Sequence, residues 1–226
     1  MPGGHQTVLP SFLMRHVIWD WNGTLADDLP TVIESVNVSL ASIGESPIVA
    51  DDYRDHYTRP VRLFYDRLLN RAVTDAEWSS INVTFHDAYA AAAHGVPLAA
   101  DAFEAIKAVD EAGSSQSILS MWWHEDLVTE VQRHGLGEYM LRVDGNTKDA
   151  GETKQRLLEI HLQQIAPTNG VLLVGDALDD ARAALEVGIP CVLYDGGSHH
   201  RPQLEALGVP IASSLLDAAR MALEPS

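Results

Sequence analysis

R-H-V-I-W-D-W-N-G-T-L-A-D-D, residues 15–28, is the segment that decides the fold. Residues 16–19 form an apolar run without polar alternation, which predicts a strand buried on both faces of a parallel sheet. Asp20 then stands at the carboxyl end of that strand, where open α/β sheets bind their ligands. Gly23 permits a sharp turn that points successive amides inward, and Thr24 adds a hydroxyl group, so the sequence predicts an anion-binding cradle here.

A carboxylate at such a cradle has two chemical uses. Asp20 could ligate Mg²⁺, or it could attack phosphorus to give an aspartyl-phosphate. The structural alternative is that Asp20 and Asn22 only cap the next helix and shape a turn, which both residue types do often.

A second segment of the same kind, V-L-L-V-G-D-A-L-D-D, occupies residues 171–180. Residues 171–174 predict another strand buried on both faces, Gly175 permits a tight turn, and Asp176 follows as Asp20 follows the first strand.

The region between these segments begins with helical patterns. Residues 52–57, 61–69 and 75–93 predict helices, and residues 28–95 contain no convincing strand. Tyr57, Arg59 and Arg62 stand close together in this region and could reach the anionic or hydroxyl end of a substrate. The alternative is that they lie on a solvated helix face.

The second half of the chain supplies further candidates. A predicted strand at 116–119 ends in Ser120, and Met121, Trp122 and Trp123 follow. Together with Trp21 they are possible walls of a pocket, although aromatic clusters more often belong to the core. A weak strand is predicted at 139–143, another at 190–194, and a solvated loop around His199.

Composition limits the class of protein. The chain has 226 residues with 46% hydrophobic content and a formal charge of −17, from 15 basic and 32 acidic residues. This excess of acids argues against nucleic acid or anionic membrane surfaces as partners, since both require a basic surface. Residues 1–14 are expected to be a flexible leader, and Cys191, the single cysteine, predicts a reducing, cytoplasmic location.

The two acidic motifs resemble those of the haloacid dehalogenase superfamily of phosphotransferases. D-W-N-G-T is similar to its D-x-D-G-T signature, and G-D-A-L-D-D is similar to its G-D-x-x-x-D motif. The resemblance implies that Asp20 is both nucleophile and Mg²⁺ ligand. It also implies that Asp176 is a second ligand with Asp180 in support, or Asp179 in place of Asp180.

The resemblance implies roles for residues between the motifs as well. Ser120 stands where the superfamily places a hydroxyl that binds the transferring phosphoryl group, next to Met121. The chain has three lysines, Lys107, Lys148 and Lys154. Lys154 best resembles the lysine that neutralises nucleophile and phosphate, with Lys148 as the fallback.

Asn22 departs from the signature, which has an acid/base Asp at this place. An amide cannot donate and recover a proton, although its backbone carbonyl could still ligate the metal. A missing general acid typically costs about 10²–10⁴ in rate. Either the leaving group needs no protonation, another side chain donates, or activity is weak; deamidation of Asn22 before Gly23 would regenerate the acid.

We therefore predict a doubly wound α/β core, residues 15–27 and 96–226, with a helical cap inserted at 28–95. The predicted function is a magnesium-dependent phosphohydrolase for a small phosphorylated metabolite, similar to phosphoglycolate phosphatases, as a monomer or homodimer. The rivals are a phospho-ligand-binding protein with little turnover and a hydrolase of the phosphonatase or dehalogenase type, although neither type's own residue stands at 22.

Overall fold

The structure is a computed structural model that describes residues 15–147, 153–165 and 170–224. The predicted leader, residues 1–14, and the fallback Lys148 lie outside the described residues. In the described residues no helix is both long and apolar enough to cross a membrane.

The described strands form one parallel sheet in the order β3-β2-β1-β4-β5-β6. Their bounds are β1 His16–Trp19, β2 Ser115–Trp123, β3 Arg142–Asn146, β4 Val171–Gly175, β5 Cys191–Tyr194 and β6 Ile211–Ala212. β1 lies between β2 and β4, and Trp19 is paired with both Ile118 and Val174. The carboxyl ends of these three strands therefore meet at one edge of the sheet, as their apolar runs predicted.

Helices cover both faces of the sheet, which confirms the predicted doubly wound core. On one face lie α5 Ala102–Glu111, α6 His124–Arg133 and α10 Leu215–Leu223, packed with Val17 and Trp19 of β1. On the other lie α7 Lys154–Gln164, α8 Leu178–Val187 and α9 Arg201–Glu205, packed with Ile18. The side chains of β1 alternate between two apolar clusters, which explains why its sequence shows no polar alternation.

The helical insertion is made of α1 Leu29–Ala41, α2 Ala50–His56, α3 Val61–Leu68 and α4 Asp75–Ala92, here called the cap helices. They share an apolar cluster of their own that includes Leu40, Phe64 and Ile81. α4 begins at Thr74, which caps the helix through a reciprocal pair of hydrogen bonds with Glu77. The exact division at residues 28 and 95 stays a prediction.

Three local predictions were wrong. β2 runs on past Ser120 to Trp123, because its ladder with β3 resumes after an irregularity between Leu119 and Trp123. β3 begins at Arg142 rather than at residue 139. His199 is not in a solvated position, because it is 3% exposed and its ring lies 5.3 Å from that of Tyr57.

Candidate active site

Three carboxylates meet at the carboxyl edge of the sheet. Asp20 follows β1, Asp176 follows β4, and Asp180 lies in the first turn of α8. One oxygen atom of each lies within 4.8 Å of the others, and all three residues are buried. Asp179, the alternative to Asp180, instead lies 3.5 Å from Arg59 and 3.6 Å from Arg182. The structure thus brings Asp180, and not Asp179, to the cluster.

Two glycine residues pack closely against the side chain of Asp176. Gly23 has a φ of 72°, and a Cβ atom there would lie 2.5 Å from Asp176 Oδ2. A Cβ atom on Gly197 would also collide with this carboxylate. Both positions therefore require glycine, and any larger residue would displace Asp176.

Two donors hold the Asp176 carboxylate. The Ser198 amide donates to Oδ2 at 2.7 Å, and the Thr24 hydroxyl donates to Oδ1 at 3.1 Å. Thr24 is fully buried, so the structure places it behind the acid rather than on the cavity wall. The Gly197 and Ser198 loop was missed by sequence reasoning, although the pair of glycines after β5 was a usable signal.

Lys154 is the cation of the cluster. Its Nζ lies 2.5 Å from Asp20 Oδ1 and 3.0 Å from Asp180 Oδ1, and it donates to the carbonyl of Leu119 at 3.0 Å. The residue opens α7, whose start is fixed by the side chain of Thr153. Burial opposes the charge on Lys154, but Asp180 and Asp20 outweigh it and raise the pKa of the amine.

The cluster carries more negative charge than Lys154 can offset. Burial raises the pKa of Asp20 to about 6, reinforced by Asp180 and opposed by Lys154. Burial raises the pKa of Asp176 to about 8, reinforced by Asp180 and Asp20. Buried carboxylate oxygens with a shortage of positive charge fit a hard divalent cation. Asp20, Asp176 and Asp180 are the residues that would hold it.

Addition of Mg²⁺ is expected to raise the melting temperature, and to raise it more at higher pH. Because folding raises the pKa of Asp20 and Asp176 from 3.8 to about 6 and about 8, the metal-free folded state binds more protons than the unfolded chain. Its stability therefore falls as pH rises through this window, and a cation offsets that loss. Ligand at a hundredfold excess over Kd stabilises by about 2.7 kcal/mol.

Thermal melts with millimolar MgCl₂ and with NaCl at matched ionic strength measure this effect at pH 6 and pH 8, near the raised pKa values of Asp20 and Asp176. A shift that is equal with both salts, or that shrinks toward pH 8, would contradict the metal site.

Asn22 is held by an acid from the start of the cap. Its Nδ2 donates to Asp28 Oδ2 at 2.8 Å and to the hydroxyl of Tyr89 at 2.7 Å. Tyr89 donates to the same Asp28 oxygen at 2.8 Å, and the Gly23 amide donates to Asp28 Oδ1 at 2.7 Å. Burial raises the pKa of Asp28, while these three donors favour its ionised form. Asp28 is thus an acceptor that fixes Asn22, and sequence reasoning missed it.

Ser120 completes this network. Its hydroxyl donates to Asn22 Oδ1 at 3.2 Å and accepts from the Trp122 amide at 3.1 Å. Because Asn22 uses both ends of its amide in these contacts, its orientation is fixed at the floor of the cavity.

A cavity of about 350 Å³ opens above the acids, beneath the cap helices. Among the predicted residues, its wall includes Asp20, Asn22, Ser120, Met121, Lys154, Asp176 and Asp180, and on the substrate side Tyr57, Arg59 and Trp122. Arg62 is not brought to it, because its guanidinium donates to the Val73 carbonyl at 2.6 Å and pairs with Asp75. Most of the remaining wall is aromatic or aliphatic.

The fold and the acid cluster define an α/β protein with a carboxylate site under a helical cap. A family model described as haloacid dehalogenase-like hydrolase matches residues 17–194. The chain therefore belongs to the haloacid dehalogenase-like hydrolase family, as the two motifs predicted.

The sequence identity to individual relatives is low. A phosphoglycolate phosphatase from Pseudomonas fluorescens is 24% identical over 89% of this chain and 77% of its own length. One from Rhodobacter capsulatus is 25% identical over 84% of this chain and 88% of its own length. A predicted phosphatase from Clostridium acetobutylicum has a similar fold, with a TM-score of 0.82, 16% identity and coverage of 94% of this chain and all of its own.

Proposed function

We propose that the protein is a magnesium-dependent phosphohydrolase that cleaves a small phosphomonoester through an aspartyl-phosphate on Asp20. The observation that carries the proposal is the ion pair of Lys154 with Asp20, beside the second and third carboxylates of the cluster. Relatives named phosphoglycolate phosphatase support the reaction class. That the substrate is a small phosphorylated molecule is part of this proposal.

In the first step a carboxylate oxygen of Asp20 attacks phosphorus and the ester oxygen departs with the electron pair. Lys154 keeps Asp20 ionised and offsets charge on the incoming phosphate. The Ser120 hydroxyl, next to the cavity floor, is proposed to turn toward an equatorial phosphate oxygen, with the Met121 amide as a further donor. The Gly23 amide, predicted to bind the phosphate, is instead engaged by Asp28 Oδ1 at 2.7 Å. Such positioning and electrostatics supply most of the catalysis in phosphoryl transfer.

When bound, a divalent cation would supply the positive charge that the acids and the phosphate dianion lack. Asp20, Asp176 and Asp180 would hold it, and the backbone carbonyl of Asn22 is proposed as a further ligand. In the second step water attacks the phosphorus of the aspartyl-phosphate, which regenerates the Asp20 carboxylate and releases inorganic phosphate.

One observation favours a second candidate, a phospho-ligand-binding protein with little turnover. Asn22 offers no proton, and its amide is tied to Asp28, Tyr89 and Ser120. Release of phosphate from 4-nitrophenyl phosphate, with Mg²⁺ or with EDTA, separates the two. Metal-dependent release over many turnovers supports the phosphohydrolase, whereas tight binding of phosphate without any release would favour the binding protein.

Arg59→Met is expected to raise KM for a phosphate ester about tenfold with a smaller change in kcat. Arg59 is the cationic residue that the cap contributes to the cavity wall, and its charge faces the phosphate dianion as it enters. Arg62→Met is the matched control, since Arg62 is engaged with Val73 and Asp75. Steady-state kinetics at low and high salt measure both variants. Equal KM changes in the two would contradict a substrate role for Arg59.

The single cysteine, Cys191, is buried and supports the proposal of a reducing, cytoplasmic compartment. The oligomeric state, monomer or homodimer, stays a prediction.

A further inference from the structure

We propose that the substrate is an aryl phosphate, a phosphate monoester of an aromatic hydroxyl, whose ring is held between the cap helices and the end of β2 at Trp122. This inference rests on the proposed function and names its substrate class. Two features carry it: an aromatic cavity directly above Asp20, and an amide where a proton donor would be needed for an alkyl ester.

The cavity is built to hold a flat apolar group. Tyr89 and Trp122 meet edge to face with ring centroids 5.7 Å apart, and Phe85 stacks on Tyr89 at 6.0 Å. Tyr57 also lines the cavity and is stacked on Tyr53 at 4.9 Å. A cavity of about 150 Å³ already accommodates benzene, so the 350 Å³ found here has room for a ring and its phosphate. Aromatic walls favour aromatic ligands through offset and edge-to-face contacts.

The charges on the wall disfavour a small substrate with a second anionic group. The lining contains five acids, Asp20, Asp28, Asp176, Asp179 and Asp180, against the two cations Lys154 and Arg59. Lys154 is engaged by Asp20 and Asp180, and Arg59, which lies 3.5 Å from Asp179, is the cation that the proposed function assigns to the phosphate. A distal carboxylate, as in phosphoglycolate, would therefore find no further cation among the described residues of the wall, at a cost in desolvation.

The basicity of the leaving group determines whether the lack of a proton donor at Asn22 lowers the rate of hydrolysis. Alkoxides are about as basic as the hydroxide derived from water, whose pKa is about 15.7, and need a proton as they depart. A phenolic hydroxyl has a pKa of about 10, so the phenolate can leave with the electron pair of the broken P–O bond and take its proton from water afterwards. One water then cleaves the aspartyl-phosphate, and the sum is aryl phosphate plus water to phenol plus inorganic phosphate.

A variant with an acid at position 22 tests the leaving-group argument, and the contacts of Asn22 show that Asp28 must be changed with it. Asp in place of Asn22 would lie 2.8 Å from Asp28 Oδ2, and two carboxylates at that distance cannot both ionise. The exchange variant Asn22→Asp/Asp28→Asn reverses donor and acceptor and keeps the pairing. Tyr89, which contacts both residues, can donate to the new acid.

Phenyl phosphate and benzyl phosphate form a matched pair of substrates, because they share a ring and differ in the basicity of the leaving oxygen. Wild type with Mg²⁺ is expected to hydrolyse phenyl phosphate with kcat/KM at least about 10²-fold above both benzyl phosphate and phosphoglycolate. The exchange variant is expected to narrow the phenyl-to-benzyl ratio at least about tenfold, mainly by raising the benzyl rate. Phe85→Ala is expected to raise KM for phenyl phosphate with a smaller change in kcat, because Phe85 lines the cavity and stacks on Tyr89.

Each opposite result has a distinct meaning. Turnover of phosphoglycolate or benzyl phosphate as fast as phenyl phosphate overturns the aryl class and leaves the phosphohydrolase intact. An unchanged phenyl-to-benzyl ratio in a folded exchange variant also overturns it. Failure to release phosphate from any ester, including 4-nitrophenyl phosphate, overturns the proposed function itself.

Discussion

Asp20→Asn is expected to lower kcat for any phosphate ester by about 10⁴-fold or more, because an amide oxygen is too poor a nucleophile to form the phosphoryl intermediate. The side chain is nearly isosteric, so the contact with Lys154 at 2.5 Å and the buried position are retained in large part. The loss should therefore appear in kcat rather than in folding. Initial rates with 4-nitrophenyl phosphate and circular dichroism of both proteins measure the two effects separately.

Asp179→Asn is the matched control for this variant. The same chemical change is made three residues from Asp176, but the side chain faces Arg59 and Arg182 and lies outside the acid cluster. We expect kcat within about threefold of wild type, because Asp179 is not a member of the acid cluster, and any effect through Arg59 should appear in KM. Equal activity in wild type and Asp20→Asn would end the assignment of the nucleophile.

Asp176→Asn is expected to stabilise the metal-free protein while it removes activity. Burial raises the pKa of Asp176 from 3.8 to about 8, so folding at neutral pH works against its ionisation. As pH rises through that interval, the raised pKa of Asp176 lowers the free energy of unfolding of the wild type. Asn carries no ionisable group, so the variant does not lose this stability. A relief of about 1 kcal/mol corresponds to about 2–4 °C in Tm for a chain of this size. Turnover should fall at least about 10³-fold, since a ligand and its charge are lost.

Melting curves in EDTA at pH 5 and pH 8 provide the measurement, chosen to lie within the interval over which the Asp176 pKa is displaced. The variant should gain more over wild type at pH 8 than at pH 5, and Mg²⁺ should no longer raise its Tm. A variant that is less stable than wild type at both pH values would show that the bonds from Ser198 and Thr24 outweigh the charge.

The sequence predicted the parts of the site that lie on regular elements. Asp20 and Asp176 follow apolar runs, and parallel strands bring their carboxyl ends to one edge, so their meeting followed from two local patterns. Lys154 required the family resemblance, because nothing local shows that the first side chain of α7 points at a strand tip. The choice of Asp180 over Asp179 depended on helix phase, which one short segment does not fix.

Other features depend on pairs that are distant in the chain. Asn22 meets Tyr89 across 67 positions, and their contact with Asp28 joins the floor of the cavity to α4 of the cap. Arg59 and Arg62 look alike in sequence, yet one lines the cavity and the other donates to Val73. Such side-chain directions are set by packing among the cap helices, which a single sequence with helical spacing does not resolve.

The most direct test of the central claim is chemical trapping of the phosphoryl intermediate during turnover. The enzyme is mixed with 4-nitrophenyl phosphate and Mg²⁺ and quenched, the acyl phosphate is reduced with borohydride, and peptides are mapped by mass spectrometry. We predict that residue 20 is converted to homoserine in wild type and that the signal is lost in EDTA and in Asp20→Asn. Steady release of phosphate with residue 20 unmodified, or with the modification at another side chain, would contradict the account.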